Sequence, residues 1–351
     1  MTSSTTVETE KPVKTHRYDI DLLRVFCGAS VILGHTGSVF IKATDNDPAN
    51  GAPVYWAGHL AEAVNPWAVP TFFAVAGWAV LAGAPPRTEA TMLRRIWRHF
   101  VPLVVWIVFY LLLGKVLGDN KRSLVTLAWK SALDGGVASN HLWYLFSYLP
   151  LIAVLGLAVL FLRGQRPWIL AAIAGLAAVA STGFDLISEV FDLGDPGFIW
   201  GIAGYQVIYA VLGAFLLHRP ARTVLLTTGA GLLLLVCAAG VLWYETTIHY
   251  PIQNANPITG LICLAMILLC AGIRVPERLK PLVKTIASCS FGAYLVHVAV
   301  VRVTTKEWIT ADLGPVAAPL ALVGTFLLAY VVAYALSWGW GKIPGARKIL
   351  G

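Results

Sequence analysis

Apolar runs long enough to cross a membrane recur along the whole chain, separated by short charged or Pro/Gly-rich breaks. A helix needs about 20 mainly apolar residues to span hydrocarbon, with a range of about 17–25. By that measure the sequence predicts ten spans, at 20–41, 62–83, 99–117, 141–162, 167–183, 199–217, 223–243, 257–273, 285–303 and 316–338. The runs at 167–183 and 257–273 are short, which fits small tilt or shelter by neighbours. No internal repeat marks a transporter of inverted halves. The expected fold is all-α and polytopic: a cytoplasmic tail at 1–19, a transmembrane domain at 20–340, and a short basic cytoplasmic tail at 341–351.

Composition narrows the class. The chain is 58% hydrophobic and 13% charged, with a mean hydropathy of +0.72. Soluble domains average about 25% charged residues, and disorder requires low hydrophobicity, so both are excluded. The net charge of +8 reads as topology rather than as a nucleic-acid surface, because Lys and Arg collect in cytoplasmic loops. With the N-terminus inside, 18 Lys and Arg lie on the cytoplasmic side and 7 outside, while Arg24 falls within the first span. The loop at 184–198, with Asp185, Glu189, Asp192 and Asp195 and no base, then lies outside. An even number of spans and a plasma (inner) membrane location are expected. The first 19 residues lack the apolar stretch of a cleaved signal. Cys27, Cys237, Cys263, Cys270 and Cys289 all sit in apolar runs without ligand spacing, so no disulfide framework and no metal site is expected.

Every loop is short, so the chemistry falls to the spans and their turns. Arginine at a span centre costs about 2.5–3.5 kcal/mol on insertion scales, yet Arg24 sits one turn into the first span. His35 follows eleven residues later, roughly 1,100° around the helix and about 16 Å along it, which puts both on one face. Asp21, three residues before Arg24, lies beside it and offsets charge. Arg24 alone is compatible with snorkelling to the headgroups; the pair on one face points to a site. Arg94, Arg95 and Arg98 form a second cluster, whose guanidinium forks suit phosphate oxygens, although inner loops are basic for insertion alone. His141 opens the fourth span from outside, with Trp143 and Tyr144 at interface depth. Ser290, Tyr294 and His297 share a stripe of the ninth span, with His297 about 18 Å above Thr285. Three histidines from three spans near one depth predict a polar cavity open to the outside.

These residues resemble the acyltransferase-3 family of integral membrane acyltransferases, from Arg17 to about Val301. Asp19–Arg24 followed by His35 is similar to the family's Arg-x10-His signature. The segment PTFFAVAGW at 70–78 resembles its Phe-Phe…Ser-Gly segment, and Arg95 and Arg98 match its Arg-x-x-Arg. HLWYL at 141–145 and SFGAYLVH at 290–297 resemble two further blocks. Ala76 stands where the family commonly has Ser, so a hydroxyl role there is absent or supplied elsewhere. No hydrolase-like C-terminal domain follows, so a stand-alone membrane member is expected.

The resemblance implies transfer of an acyl group, most often acetyl, from cytoplasmic acyl-CoA to a hydroxyl of an extracytoplasmic sugar, glycolipid or macrolide. Acyl-CoA is then a co-substrate, with no permanently bound cofactor. His35 is expected as general base, since a neutral imidazole accepts a proton near physiological pH; transient acylation of His35 is the variant. Arg24, Arg94, Arg95 and Arg98 are expected to bind CoA. His141, Trp143, Tyr294, His297, Asp21 and Glu245, the last in the outer loop WYETTIHYP, are candidates for acceptor or supporting contacts. The rival reading is a transporter or proton-linked carrier, because intramembrane Arg and His also mark ion pathways.

Overall fold

A computed structural model describes residues 16–118, 122–191, 200–305 and 308–351. Residues 1–15 of the expected cytoplasmic tail and 192–199 of the acidic loop, with Asp192 and Asp195, lie outside the described residues. Those described form helices joined by turns, with no strand among them. In chain order they are α1 (Tyr18–Ala43), α2 (Ala52–Ala63), α3 (Ala68–Trp78), α4 (Glu89–Val116), α5 (Leu124–Leu133), α6 (Trp143–Leu162), α7 (Trp168–Phe191), α8 (Gly204–His218), α9 (Val224–Thr247), α10 (Pro257–Cys270), α11 (Lys280–Thr305), α12 (Ala317–Trp340) and α13 (Ala346–Leu350).

Seven helical stretches are long and apolar enough to cross a membrane, with α2 and α3 counted together; α7, α8 and α10 have shorter apolar stretches. Each of the ten expected spans overlaps one of these. Large apolar side chains stand exposed all round, among them Leu162, Phe215 and Val224, as lipid rather than water requires.

Boundaries differ where capping and breaking residues act. The second span begins at Ala52, not at 62, and breaks at Asn65-Pro66 into α2 and α3, because Pro cannot continue a helix. The gap left between the first two expected spans therefore holds most of α2. α3 runs on as a five-residue π-helix, Ala79–Gly83. α4 starts ten residues early, where the Thr88 hydroxyl accepts the Thr91 N–H, a side-chain N-cap. The helix α5 was not foreseen. The short basic segment at 341–351 packs against the helices: the Leu350 and Gly351 carbonyls accept hydrogen bonds from the indoles of Trp106 and Trp340.

α1 is the hub and touches α2, α3, α10, α11 and α12. Small residues permit this. A methyl on Gly28 would meet the Tyr334 hydroxyl at 2.2 Å, and one on Gly34 would meet the Asn65 amide at 2.0 Å. Close backbone approach through small residues drives helix association where no hydrophobic effect operates.

Candidate functional site

The first turn of α1 is fixed by acids. Arg17 forks onto Asp19, Nε to Oδ1 at 2.8 Å and Nη2 to Oδ2 at 2.7 Å, and donates to the Leu217 carbonyl of α8. Asp19 Oδ2 also accepts the Gly272 N–H, tying α1 to the end of α10. One turn on, Asp21 accepts from His16 Nε2 at 2.6 Å and lies 3.5 Å from Arg24 Nη1. Asp21 and Arg24 are thus adjacent, as their spacing predicts.

Arg24 lines a cavity of about 800 Å³ between α1, α3, α6 and α11. His16, Arg17 and His218 line it at the start of α1 and the end of α8; Phe72 and Ala76 of α3 and Tyr144, Ser290 and Tyr294 of α6 and α11 also line it, with Tyr294 on the side of the histidines. The Tyr294 hydroxyl donates to the His141 carbonyl.

Just past Tyr294 three imidazoles meet. The His35 ring centroid is 5.0 Å from that of His297 and 6.2 Å from that of His141, and His141 and His297 are 5.1 Å apart. His297 Nδ1 lies 2.5 Å from the Tyr294 carbonyl. A carbonyl only accepts, so the proton is on Nδ1 and Nε2 carries a free lone pair. His141 Nδ1 pairs with the Ser139 hydroxyl at 2.9 Å. The Nε2 atoms of His141 and His297 are buried and make no hydrogen bond among the described residues. His35 is half-buried and faces this cluster. Behind His141, the Tyr110 hydroxyl donates to the Leu295 carbonyl and accepts the Ala299 N–H, holding α4 against α11. Among the described residues no three His, Cys, Asp or Glu are disposed to hold a metal ion.

Other expected residues are placed differently. Arg95 donates to the Ala84 and Ala79 carbonyls, which directs it to the π-helical turn beside the cavity. Arg98 is exposed and does not line the cavity. Arg94 is exposed and bonded to its own helix through Ala90 and Thr91, so the structure does not bring it to the cavity. The charges of Arg24, Arg95 and Arg98 nevertheless all act on His99 and Tyr148, two cavity-lining residues. Trp143 is half-buried outside the cavity, whereas Tyr144, expected at an interface, lines it. Glu245 is not a solvated loop acid. α9 extends to Thr247, and Glu245 is 4% exposed, with one oxygen accepting the Ile252 N–H and the other buried with no hydrogen-bond partner among the described residues.

The sequence reading missed His16, Arg17, His99, Tyr148 and His218. The first two looked like tail. His99 carried a signal, since it lies four residues after Arg95 on the same helix face.

No curated protein and no solved structure is significantly similar to the chain. The family model described as an acyltransferase domain (Acyl_transf_3) matches residues 17–338, nearly the whole chain, which takes in α1, the cavity and the histidine cluster. The chain belongs to the acyltransferase-3 family.

Proposed function

We propose that this membrane acyltransferase moves an acetyl or other acyl group from cytoplasmic acyl-CoA to a hydroxyl of an extracytoplasmic carbohydrate, glycolipid or macrolide. In this reading both termini face the cytoplasm of a plasma-membrane protein with ten spans, residues 1–19 and 341–351 flank the transmembrane unit at 20–340, and the cavity opens to the donor. The observation that carries it is one cavity lined by the guanidiniums of Arg17 and Arg24 and by Tyr294, which adjoins the three imidazoles.

Arg24 binds the donor's phosphates, with Arg95 and Arg98 adding positive potential at the rim, and the pantetheine arm extends along α1. His35 accepts the acceptor hydroxyl's proton as that oxygen attacks the thioester carbonyl. Collapse of the tetrahedral intermediate breaks the C–S bond, and the imidazolium returns the proton to the departing thiolate. His297 stands beside His35, its ring held by the Tyr294 carbonyl. Asp21 orients Arg24, and His141 and Tyr294 shape the boundary between the two substrates.

Purified protein in proteoliposomes tests this with radiolabelled acetyl-CoA and CoA-binding calorimetry. His35→Ala abolishes transfer and leaves CoA affinity largely intact, whereas Arg24→Ala weakens CoA binding. Retained transfer in His35→Ala overturns the assignment of the base. Movement of solute across the vesicle without acyl-CoA supports a carrier instead.

A further inference from the structure

A second concavity of about 560 Å³ lies on the opposite side of α4 and α6 from the cavity, within the size range of ligand pockets. Leu93, Trp97 and Phe100 of α4 form one wall, Ile173 and Ala177 of α7 the other, and Leu149 and Pro150 of α6 the floor. Its lining is almost wholly apolar. Among the described residues, tertiary contacts flank it toward either end. At one end the α3–α4 and α6–α7 turns are stitched together: Arg163 donates to the Pro86 carbonyl, Gln165 to the Arg87 carbonyl, and Glu89 caps the Leu170 N–H of α7. At the other end Trp200 stacks on Phe146 at 4.1 Å and donates to the Ala132 carbonyl.

Its dimensions select an occupant. From Ile169 to Ala180 the α7 wall rises about 16 Å, close to half of the roughly 30 Å hydrocarbon core. That is one leaflet's depth. The stitched end carries Arg87, Arg94 and Arg166, all exposed and none ion-paired with an acid among the described residues. The one acid there, Glu89, is engaged as a cap.

We propose that this groove binds one acyl chain of an anionic phospholipid, whose headgroup is held by Arg87, Arg94 and Arg166. A lipid tail gains little by exchanging bilayer for an apolar groove, so packing holds the chain while the guanidiniums choose the headgroup. Each basic residue near a membrane surface contributes about a five-fold preference for anionic lipid. The bound chain fills the wedge between α4 and α7 and braces the outer side of the wall that carries His99 and Tyr148.

The test uses full-length protein in nanodiscs of mixed phosphatidylglycerol and phosphatidylcholine, with native mass spectrometry of the protein released into mild detergent. The expected result is about one retained phospholipid per chain, phosphatidylglycerol preferred over its share of the disc. Ala177→Trp, which fills the groove, lowers retention at least ten-fold. Arg94→Gln with Arg166→Gln, both on the surface and so compatible with folding, keeps retention but erases about 25-fold of the headgroup preference. Retention unchanged by Ala177→Trp in folded protein overturns the site. Equal retention of both lipids by the wild type, or no effect of the arginine pair, overturns the headgroup assignment. An isoprenoid-linked glycan retained in place of phospholipid, when the protein comes from native membranes, overturns the choice of ligand.

Discussion

Replacing Gly77 with alanine probes how tightly the wall of the 800 Å³ cavity is built. α3 carries Phe72 and Ala76 on that wall, and its other side lies on α8. A β-carbon on Gly77 would stand 2.0 Å from the Ala210 carbonyl oxygen and 2.4 Å from its Cα; one on Gly213 would stand 2.0 Å from the Ala74 carbonyl oxygen. Both obstacles are backbone, so no rotamer relieves them, and the helices must part by about 1 Å to reach even a tight contact near 3.0 Å. A radial gap of that size forfeits about a quarter to a half of each dispersion contact across the crossing, and overpacking of this kind typically costs 1–3 kcal/mol. Against this stands the helix-propensity gain of Gly→Ala, about 1 kcal/mol. The net expectation is a change from near zero to about 2 kcal/mol of destabilisation, which leaves Gly77→Ala about 1–3 kcal/mol less stable than a glycine substitution with the propensity gain alone. Gly229→Ala in α9, with nothing within 4 Å of the added methyl, has the propensity gain alone and is neutral or stabilising. Equilibrium unfolding in mixed micelles, followed by circular dichroism, reads both. The double variant Gly77→Ala/Gly213→Ala costs less than the sum of the singles, because one separation relieves both clashes. The reasoning fails if Gly77→Ala is as stable as Gly229→Ala, or if the two glycine substitutions are strictly additive.

Two further perturbations separate scaffold from site. Arg17→Ala removes a fork on Asp19, a tie to α8 and a stack 5.7 Å over Trp78. With the guanidinium partly exposed, the loss is about 1–3 kcal/mol, below the range for a fully buried pair, and is read by the same unfolding assay. Ala76→Phe pushes a ring into the cavity; CoA affinity falls at least ten-fold in calorimetry while unfolding shifts little, and unchanged affinity places the donor elsewhere.

Much of this architecture is written in the periodicity of the chain. Ten apolar runs locate ten helical segments, and the eleven-residue step from Arg24 to His35 puts both on the side of α1 that faces α11. The meeting of His35, His141 and His297 was readable from depth alone, since each is a polar residue at a comparable height in its span. What escaped depends on partners distant in sequence. Arg17 looked like tail because its meaning comes from Leu217 and Trp78, some 200 and 60 residues away. Glu245 reads as an outer-loop residue because the pattern ends the span at 243, whereas α9 runs to Thr247 and Ile252 folds back onto the carboxylate. Arg94, Arg95 and Arg98 were one cluster in sequence, yet the helical step fans them into three environments, only one of which is the π-helical turn beside the cavity.

The boundary between cavity and histidines gives the sharpest remaining test. The cavity ends at Tyr144 and Tyr294, and His35 lies beyond them. Tyr294 is bound twice at this boundary: its hydroxyl donates to the His141 carbonyl, and its own carbonyl accepts the His297 Nδ1 proton. One residue therefore links the His141 backbone and the His297 imidazole to the end of the cavity. Tyr294→Phe keeps the ring and the backbone acceptor and deletes only the tie to His141, at about 1 kcal/mol of stability. If that tie sets the approach of donor and acceptor, small displacements matter more than the lost bond, because about 1 Å of misplacement costs on the order of 100-fold in rate. The expected outcome is a ten- to hundred-fold fall in kcat with KM for acyl-CoA unchanged, since the guanidiniums at the other end of the cavity are untouched. A variant that loses stability but keeps kcat within about two-fold shows that Tyr294 only packs.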